Sequence, residues 1–306
     1  MQATALGRPA ARPGTSRRPP RATVSRDAGG SAHLGAAVRV EGLRGGMRCR
    51  AASGPGKDVV GPSGAFSQQQ EELSEARQKL FDDIAPVYDQ LNDLLSVGQH
   101  RVWKRTAIKW TGAKPGDRCI DICCGSGDIA LRLADTVGPG GSVVGLDFAA
   151  EQLEVAAGKQ SLLPALAKYS CPIEWVQGDA MDLPYGEGEF DAATMGYGLR
   201  NVADIPLALQ ELHRVLKPGG TVAVLDFNNA DDELTRGLQG FFLDNLVVPA
   251  ASAFGLGPEY EYLRPSIEAF PRGAEQVRLA KEAGFKKAVH YKLMGGLMGC
   301  LVATKA

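Results

Sequence analysis

Zinc-ligand spacing is absent from this chain. Its six cysteines are Cys49, Cys119, Cys123, Cys124, Cys171 and Cys300; none forms a CxxC pair, and none groups with the four histidines. The pattern predicts no metal site and no disulfide framework, and free thiols point to a reducing compartment. Cys123-Cys124 reads as a small packed filler in an apolar run. Also missing is any run of about 18 apolar residues. The nearest approach, Phe241 to Leu256, is broken by Asp244, Asn245 and Pro249. No transmembrane segment is therefore predicted, although this stretch could lie against a lipid surface. Internal repeats are lacking too.

The first fifty residues lack lysine altogether. They hold ten arginines against two acids, Asp27 and Glu41, among many Ala, Gly, Pro, Ser and Thr. Such a composition cannot bury enough surface to offset chain entropy. It has no apolar core of the kind that marks a secretory signal. A basic, hydroxylated, acid-poor leader is the signature of an organelle transit peptide. Residues 1–50 are expected to be a chloroplast transit peptide ending near Met47-Arg48-Cys49-Arg50-Ala51, with mitochondrial import as the rival. Residues 51–66, rich in Gly, Pro and Ser, read as a disordered linker. Of the chain's 34 basic and 35 acidic residues the leader takes ten and two, leaving 24 and 33 and a net charge of −9. An acidic remainder argues against a nucleic-acid partner.

What is present is a domain over 67–306, since 306 residues at 44% apolar content suffice for one sizeable core. Ser67 with Gln70 can form a capping box. A helix to about Ile84 follows, then a second piece carrying Tyr88, Leu91, Leu94 and Leu95 that stops at Gly98, and a third over Arg101–Trp110. These make an N-terminal helical lid, 67–110. From Asp117 short β-rich runs alternate with helical ones. The strands are Arg118–Cys123, Ser142–Leu146, Ile173–Val176, Phe190–Met195 and Thr221–Phe227. The helices are Asp128–Val137, Glu151–Gln160 and Ile205–Leu216. Alternation of this kind predicts βαβ units and a parallel α/β sheet. Pro218-Gly219-Gly220 reads as a helix stop and turn. Phe285–Leu293 and Leu297–Thr304, joined around Gly295-Gly296, predict an antiparallel hairpin at the sheet edge.

The first strand runs into Asp121-Ile-Cys-Cys-Gly125-Ser126-Gly127-Asp128. Glycines let backbone approach a ligand, and the helix that opens there presents free N–H groups. Asp147 ends the second strand, where a carboxylate accepts hydrogen bonds from ribose hydroxyls; a helix N-cap is the plainer role. To this point NAD and S-adenosylmethionine fit equally. Two further acids favour the latter. Asp179, in Gly178-Asp179-Ala180, is placed for an adenine amino group, and Asp121 for a methionine ammonium beside a sulfonium.

The chain resembles the ubiquinone/menaquinone biosynthesis methyltransferase family. The matches are Phe81–Asp89, Leu91-Asn92-Asp93, Gly98–Lys104, the loop Asp121–Asp128, Gly196–Val202, Arg214–Gly220, Tyr260–Leu263 and Ser266-Ile267. Within that family the likeness runs furthest to the chloroplast branch acting on 2-phytyl-1,4-naphthoquinone, on Cys123-Cys124, Met195–Gly198, and Asp244-Asn245 before Val247-Val248-Pro249. The resemblance implies a class I S-adenosylmethionine-dependent methyltransferase, Rossmann-like, with a mostly parallel seven-stranded sheet and a C-terminal antiparallel hairpin. It implies C-methylation of a prenylated naphthoquinol, the last methylation of phylloquinone (vitamin K1) biosynthesis.

Cofactor contacts are then expected from Asp121, Gly125, Ser126, Gly127, Asp147, Phe148, Asp179, Ala180 and Gly196. Gly196 stands where many relatives have serine, so only a backbone role remains there. Tyr88, Tyr197, Asn201, Tyr260 and Tyr262 are expected in the substrate pocket. Arg200 is the candidate catalytic residue, stabilising a quinol oxyanion; its plainer role is an ion pair with a helix acid. No residue stands out as the base, His100 and His290 being candidates. The insertion over about residues 229–270, apolar from Leu238 to Phe270, is a candidate lid and a surface for peripheral contact with thylakoid or plastoglobule lipid. The rivals are an NAD(P)-dependent oxidoreductase and a non-catalytic lipid-binding protein.

Overall fold

The computed structural model describes residues 98–162, 171–253 and 262–306. The capping box at Ser67, the two helices before Gly98, Tyr88 and Tyr260 lie outside the described residues.

Helix α1, His100–Thr111, buries His100, Lys104, Ala107, Ile108 and Thr111, a stripe spaced by four and three residues. It stops at Gly112, whose φ of 71° a side chain would resist. Strand β1 (Arg118–Ile122), helix α2 (Asp128–Val137), β2 (Ser142–Asp147), α3 (Ala150–Ser161), β3 (Ile173–Gln177) and β4 (Phe190–Gly196) follow. A 3-10 turn at Leu199–Asn201 leads into α4 (Ile205–Val215) and β5 (Leu216–Phe227). Asp204 caps α4 by accepting from the Leu207 amide at 2.9 Å.

Beyond β5 come α5 (Glu233–Phe242), a π-helical turn (Leu243–Val247), α6 (Val248–Ala253), α7 (Leu263–Ala269) and α8 (Gly273–Glu282). Strands β6 (Lys287–Leu293) and β7 (Met298–Thr304) form the expected hairpin.

The seven strands lie in the order β3-β2-β1-β4-β5-β7-β6, with only β7 antiparallel to both neighbours. Alternate residues of each central strand serve opposite faces. Cys119, Val143 and Ala192 meet α2 through Ile129, Ala130 and Leu133. Their neighbours Ile120, Val144 and Ala193 meet α4 through Leu209 and Leu212 on the other face. Both faces being covered, β1 and β2 read as near-continuous apolar runs.

One expectation is corrected. Pro218-Gly219-Gly220 is not a turn ahead of the strand. β5 already begins at Leu216, paired with Phe190, and the register then shifts to Ala192 opposite Thr221. The surplus residues form a bulge, with Gly219 at φ 82°. Lys305 holds it through its amide on the Gly220 carbonyl at 2.9 Å.

The chain winds outward from β1 to β3 and then returns to place β4 on the other side of β1. That reversal is the topological switch point of the sheet, and it opens a crevice beyond the carboxyl ends of β1 and β4.

Candidate active site

A cavity of about 300 Å³ fills that crevice, within the range of small-molecule sites. Its wall is built first by the loop after β1. Three residues there take positive φ: Cys123 at 55°, Gly125 at 51° and Gly127 at 82°. They fold the loop back onto β2, where the Cys124 amide donates to the Leu146 carbonyl at 3.0 Å. A Cβ on Gly127 would stand 2.6 Å from the Trp175 ring, so glycine is required for space as well as for φ. Cys123 has no such licence; its strained backbone marks a constrained position at the cavity wall. Cys124, 8% exposed, lines the cavity beside it, so neither cysteine is a mere filler.

Asp147 locks this loop in place. One carboxylate oxygen accepts from the Gly125 amide at 2.7 Å and the other from the Ala149 amide at 3.0 Å. It caps the turn before α3, whose own N-cap is Ala149. Burial raises its pKa and the backbone donors pull against that rise.

Asp121 is fully buried at the centre of β1. One oxygen accepts from Thr194 Oγ on β4 at 2.7 Å; the other has no partner of normal geometry among the described residues. Burial lifts its carboxyl to about 7, against the opposing pull of Thr194 and of the Lys104 charge. Asp179 lies on the far wall with Ala180, its carboxylate accepting from the Met181 amide at 2.9 Å. Ser126, Phe148 and Gly196 line the cavity as well, whereas Gly127, also expected there, is not a wall residue and lies against Trp175. A Cβ on Gly196 would stand 2.5 Å from the tip of Ile129, so a larger residue would have to displace that side chain.

After β4 come two of the expected pocket residues, Tyr197 and Asn201; Tyr262 is not itself a wall residue. Tyr197, at φ 60°, lines the cavity with Asn201 and packs its ring on Phe227 at 5.9 Å. Asn201 donates to the Tyr197 carbonyl at 2.9 Å and accepts from the Tyr262 hydroxyl at 2.5 Å.

Arg200 is not part of the wall. It is 5% exposed and paired with Asp226, at the end of β5, at 3.2 Å, and it donates to Ser266 on α7. The acid it meets is on a strand, not a helix. His100 and His290 are not wall residues either; His290 is wedged where a Cβ on Gly273 or Gly299 would stand 2.4 Å away.

Several wall residues escaped the sequence reading, two long polar ones among them. Gln152, 2% exposed, enters from α3. Lys104, 5% exposed, enters from α1 and pairs with Asp128 at 2.9 Å. Its signal was position: it falls four residues after His100, on the inward stripe of α1.

Residues 68–305 match the model of the ubiE/COQ5 methyltransferase family. A chloroplastic 2-phytyl-1,4-beta-naphthoquinone methyltransferase of Arabidopsis thaliana is 56% identical over 232 residues, 76% of this chain and 88% of its own. A 2-phytyl-1,4-naphtoquinone methyltransferase of a Nostoc species is 56% identical over 227 residues, 74% of this chain and 97% of its own. Among solved structures, a SAM dependent methyltransferase from Aquifex aeolicus aligns with a TM-score of 0.52 at 18% identity, over 71% of this chain and 98% of that one. A SAM-dependent methyltransferase from Thermotoga maritima aligns with a TM-score of 0.51 at 20% identity, over 74% and 99%. The structural likeness bears on the fold, and the fold is the expected one.

Proposed function

The chain belongs to the ubiE/COQ5 methyltransferase family, and from that premise we propose that it methylates a ring carbon of 2-phytyl-1,4-naphthoquinol with S-adenosylmethionine. The observation that carries this reading is the acid-lined cavity at the switch point. S-adenosylmethionine is a cation overall, and the wall offers it four carboxylates: Asp121, Asp128, Asp147 and Asp179. The buried, half-satisfied carboxylate of Asp121 fits its ammonium. When bound, the cofactor supplies an electrophilic methyl group.

The chain's own residues then position and exclude. Asp147 holds the ribose hydroxyls, with Phe148 beside it. Asp179 and Ala180 hold the adenine. Gly125, Ser126, Gly127 and Gly196 bring backbone close. Tyr197, Asn201 and Tyr262 shape the acceptor side, with Tyr88 and Tyr260 proposed there from sequence alone. An oxidised quinone ring is electrophilic and would not attack a methyl donor. The quinol ring is electron-rich, and loss of a hydroxyl proton makes its carbon nucleophilic, so the reduced form is the acceptor. Holding that carbon in line is worth most of the rate. With its guanidinium committed to Asp226 and Ser266, Arg200 acts as a positioning residue for the Asn201–Tyr262 pair.

Residues 1–50 serve in this reading as a chloroplast transit peptide, and residues 67–306 as the methyltransferase domain. Among the described residues no helix is long and apolar enough to cross a membrane. The outward side chains Leu234, Leu238 and Phe241 on α5 instead support peripheral contact with the lipid in which a phytyl chain dissolves.

The test uses the full chain with labelled S-adenosylmethionine and 2-phytyl-1,4-naphthoquinone, with and without a chemical reductant. Methyl transfer only with reductant is expected. Transfer to the oxidised quinone would remove the quinol mechanism, and no transfer despite cofactor binding would remove the acceptor.

A further inference from the structure

The cavity wall is strongly acidic, yet one of its residues is a lysine. Four aspartates line it, and Lys104 is the only cation among the described lining residues. Lys104 sits on the buried stripe of α1, a place normally closed to an amphipathic side chain unless its charge is matched. Its ammonium has three donors. One meets Asp128 at 2.9 Å, at the first turn of α2, and its charge reaches Asp121. Lys104 and Asp121 thus present opposite charges to one end of the same cavity.

The amino-acid end of S-adenosylmethionine is a zwitterion, an ammonium and a carboxylate on one carbon. Asp121 matches the ammonium. A carboxylate brought among four aspartates would be repelled unless a cation stood with it. Resting on the cofactor reading above, we propose that Lys104 is that cation: it receives the cofactor's α-carboxylate while Asp128 holds it in place. The N-terminal helix α1 thereby reads the amino-acid end, and the sheet's loops read the adenosine end. The alternative is that Lys104 is only a strut tying α1 to α2.

Two ligands separate these roles. S-adenosylhomocysteine carries the carboxylate; 5′-methylthioadenosine has neither carboxylate nor ammonium. In calorimetry on the full chain, Lys104→Met should weaken S-adenosylhomocysteine by about 10- to 150-fold, the worth of a charge-assisted hydrogen bond, and leave 5′-methylthioadenosine unchanged. Lys104→Arg, which keeps the cation, should restore most of the loss. An equal loss for both ligands, or no loss for either, would overturn the proposal and leave a strut.

Should Lys104→Met not fold, nitrogen NMR of the lysine ammonium groups in the unaltered chain separates the same two roles. One resonance, absent in Lys104→Arg, should move with S-adenosylhomocysteine and stay fixed with 5′-methylthioadenosine. A resonance that ignores the carboxylate overturns the proposal. If the unaltered chain binds neither ligand, the cofactor reading itself fails, which is a different result.

Discussion

The cavity wall and the segment from α5 to α7 are built by opposite means. The wall is backbone and short acids, tied down by direct bonds: Gly125 to Asp147, Cys124 to Leu146, Thr194 to Asp121. The described residues of the segment from α5 to α7 lie outside that wall, and the segment sends large apolar groups outward. Leu234, Phe241 and Leu246 are 84%, 63% and 50% exposed. Among its described residues Leu243, Leu263 and Ile267 form a small buried cluster, packed with Phe227 and Val247. A π-helical turn interrupts the helical run. The first suits a ligand of fixed shape. The second, with few buried contacts and a relaxed helix, suits a long flexible acceptor and its surroundings. In the proposed reading the common chemistry rests on the bonded wall, and acceptor choice on the more exposed segment.

A small buried set joins the two. Arg200 reaches from the 3-10 turn after β4 to Asp226 on β5 and to Ser266 on α7. Asp226→Ala should give the largest effect, because it strands a buried guanidinium; a loss of about 3–5 kcal/mol in urea unfolding is expected. The double change Arg200→Met with Asp226→Leu should recover much of it. A single variant as stable as the parent would mean that the ion pair does not hold the two together.

Next is Asp147→Ala, which removes both the loop's anchor and the proposed ribose acceptor. A loss of S-adenosylmethionine affinity of about 10- to 200-fold is expected by calorimetry. An unchanged dissociation constant would withdraw Asp147 from the cofactor.

Asp121 gives a smaller, pH-dependent effect. Its carboxyl ordinarily titrates at 3.8 and is lifted to about 7 in the folded chain. Between those values the folded chain keeps a proton that the unfolded chain has lost. Stability should therefore fall as pH rises through that window, and cofactor affinity should rise, since the ammonium needs the ionised form. Asp121→Asn should flatten both profiles. A ligand-free wild type that gains stability relative to Asp121→Asn between pH 4.5 and about 7 would reverse the sign and remove the buried-acid argument.

The contrast between the two also explains what could be read in the sequence. β1, α2 and the hairpin were legible because their apolar periods are clean and Gly125 and Gly127 punctuate them. Asp121, Asp147 and Asp179, the acids proposed for the cofactor, could be picked out because each lies at or just after the end of a strand. The Arg200–Asp226 pair was not legible: a charged residue beside Asn201 looks chemical in one dimension, and only the folded sheet brings Asp226 to it. Lys104 and Gln152 were passed over because long polar side chains on amphipathic helices usually face solvent. The bulge at Pro218-Gly219-Gly220 was hidden because its partner, Lys305, lies at the far end of the chain.

The smallest expected effect on the fold is also the sharpest test of the comparison. Leu238 and Phe241 touch solvent on α5, so changing both to serine should alter stability by no more than about 0.5 kcal/mol each. If that face meets lipid, the same change should weaken retention on vesicles roughly tenfold, since apolar area no longer leaves water. Methylation of a naphthoquinol without its prenyl chain should be untouched, while methylation of the phytyl substrate in vesicles should slow. Equal slowing with both acceptors would place these residues in the catalytic unit and erase the division of labour between wall and segment. No slowing with either would leave the outward apolar face without a part in acceptor delivery.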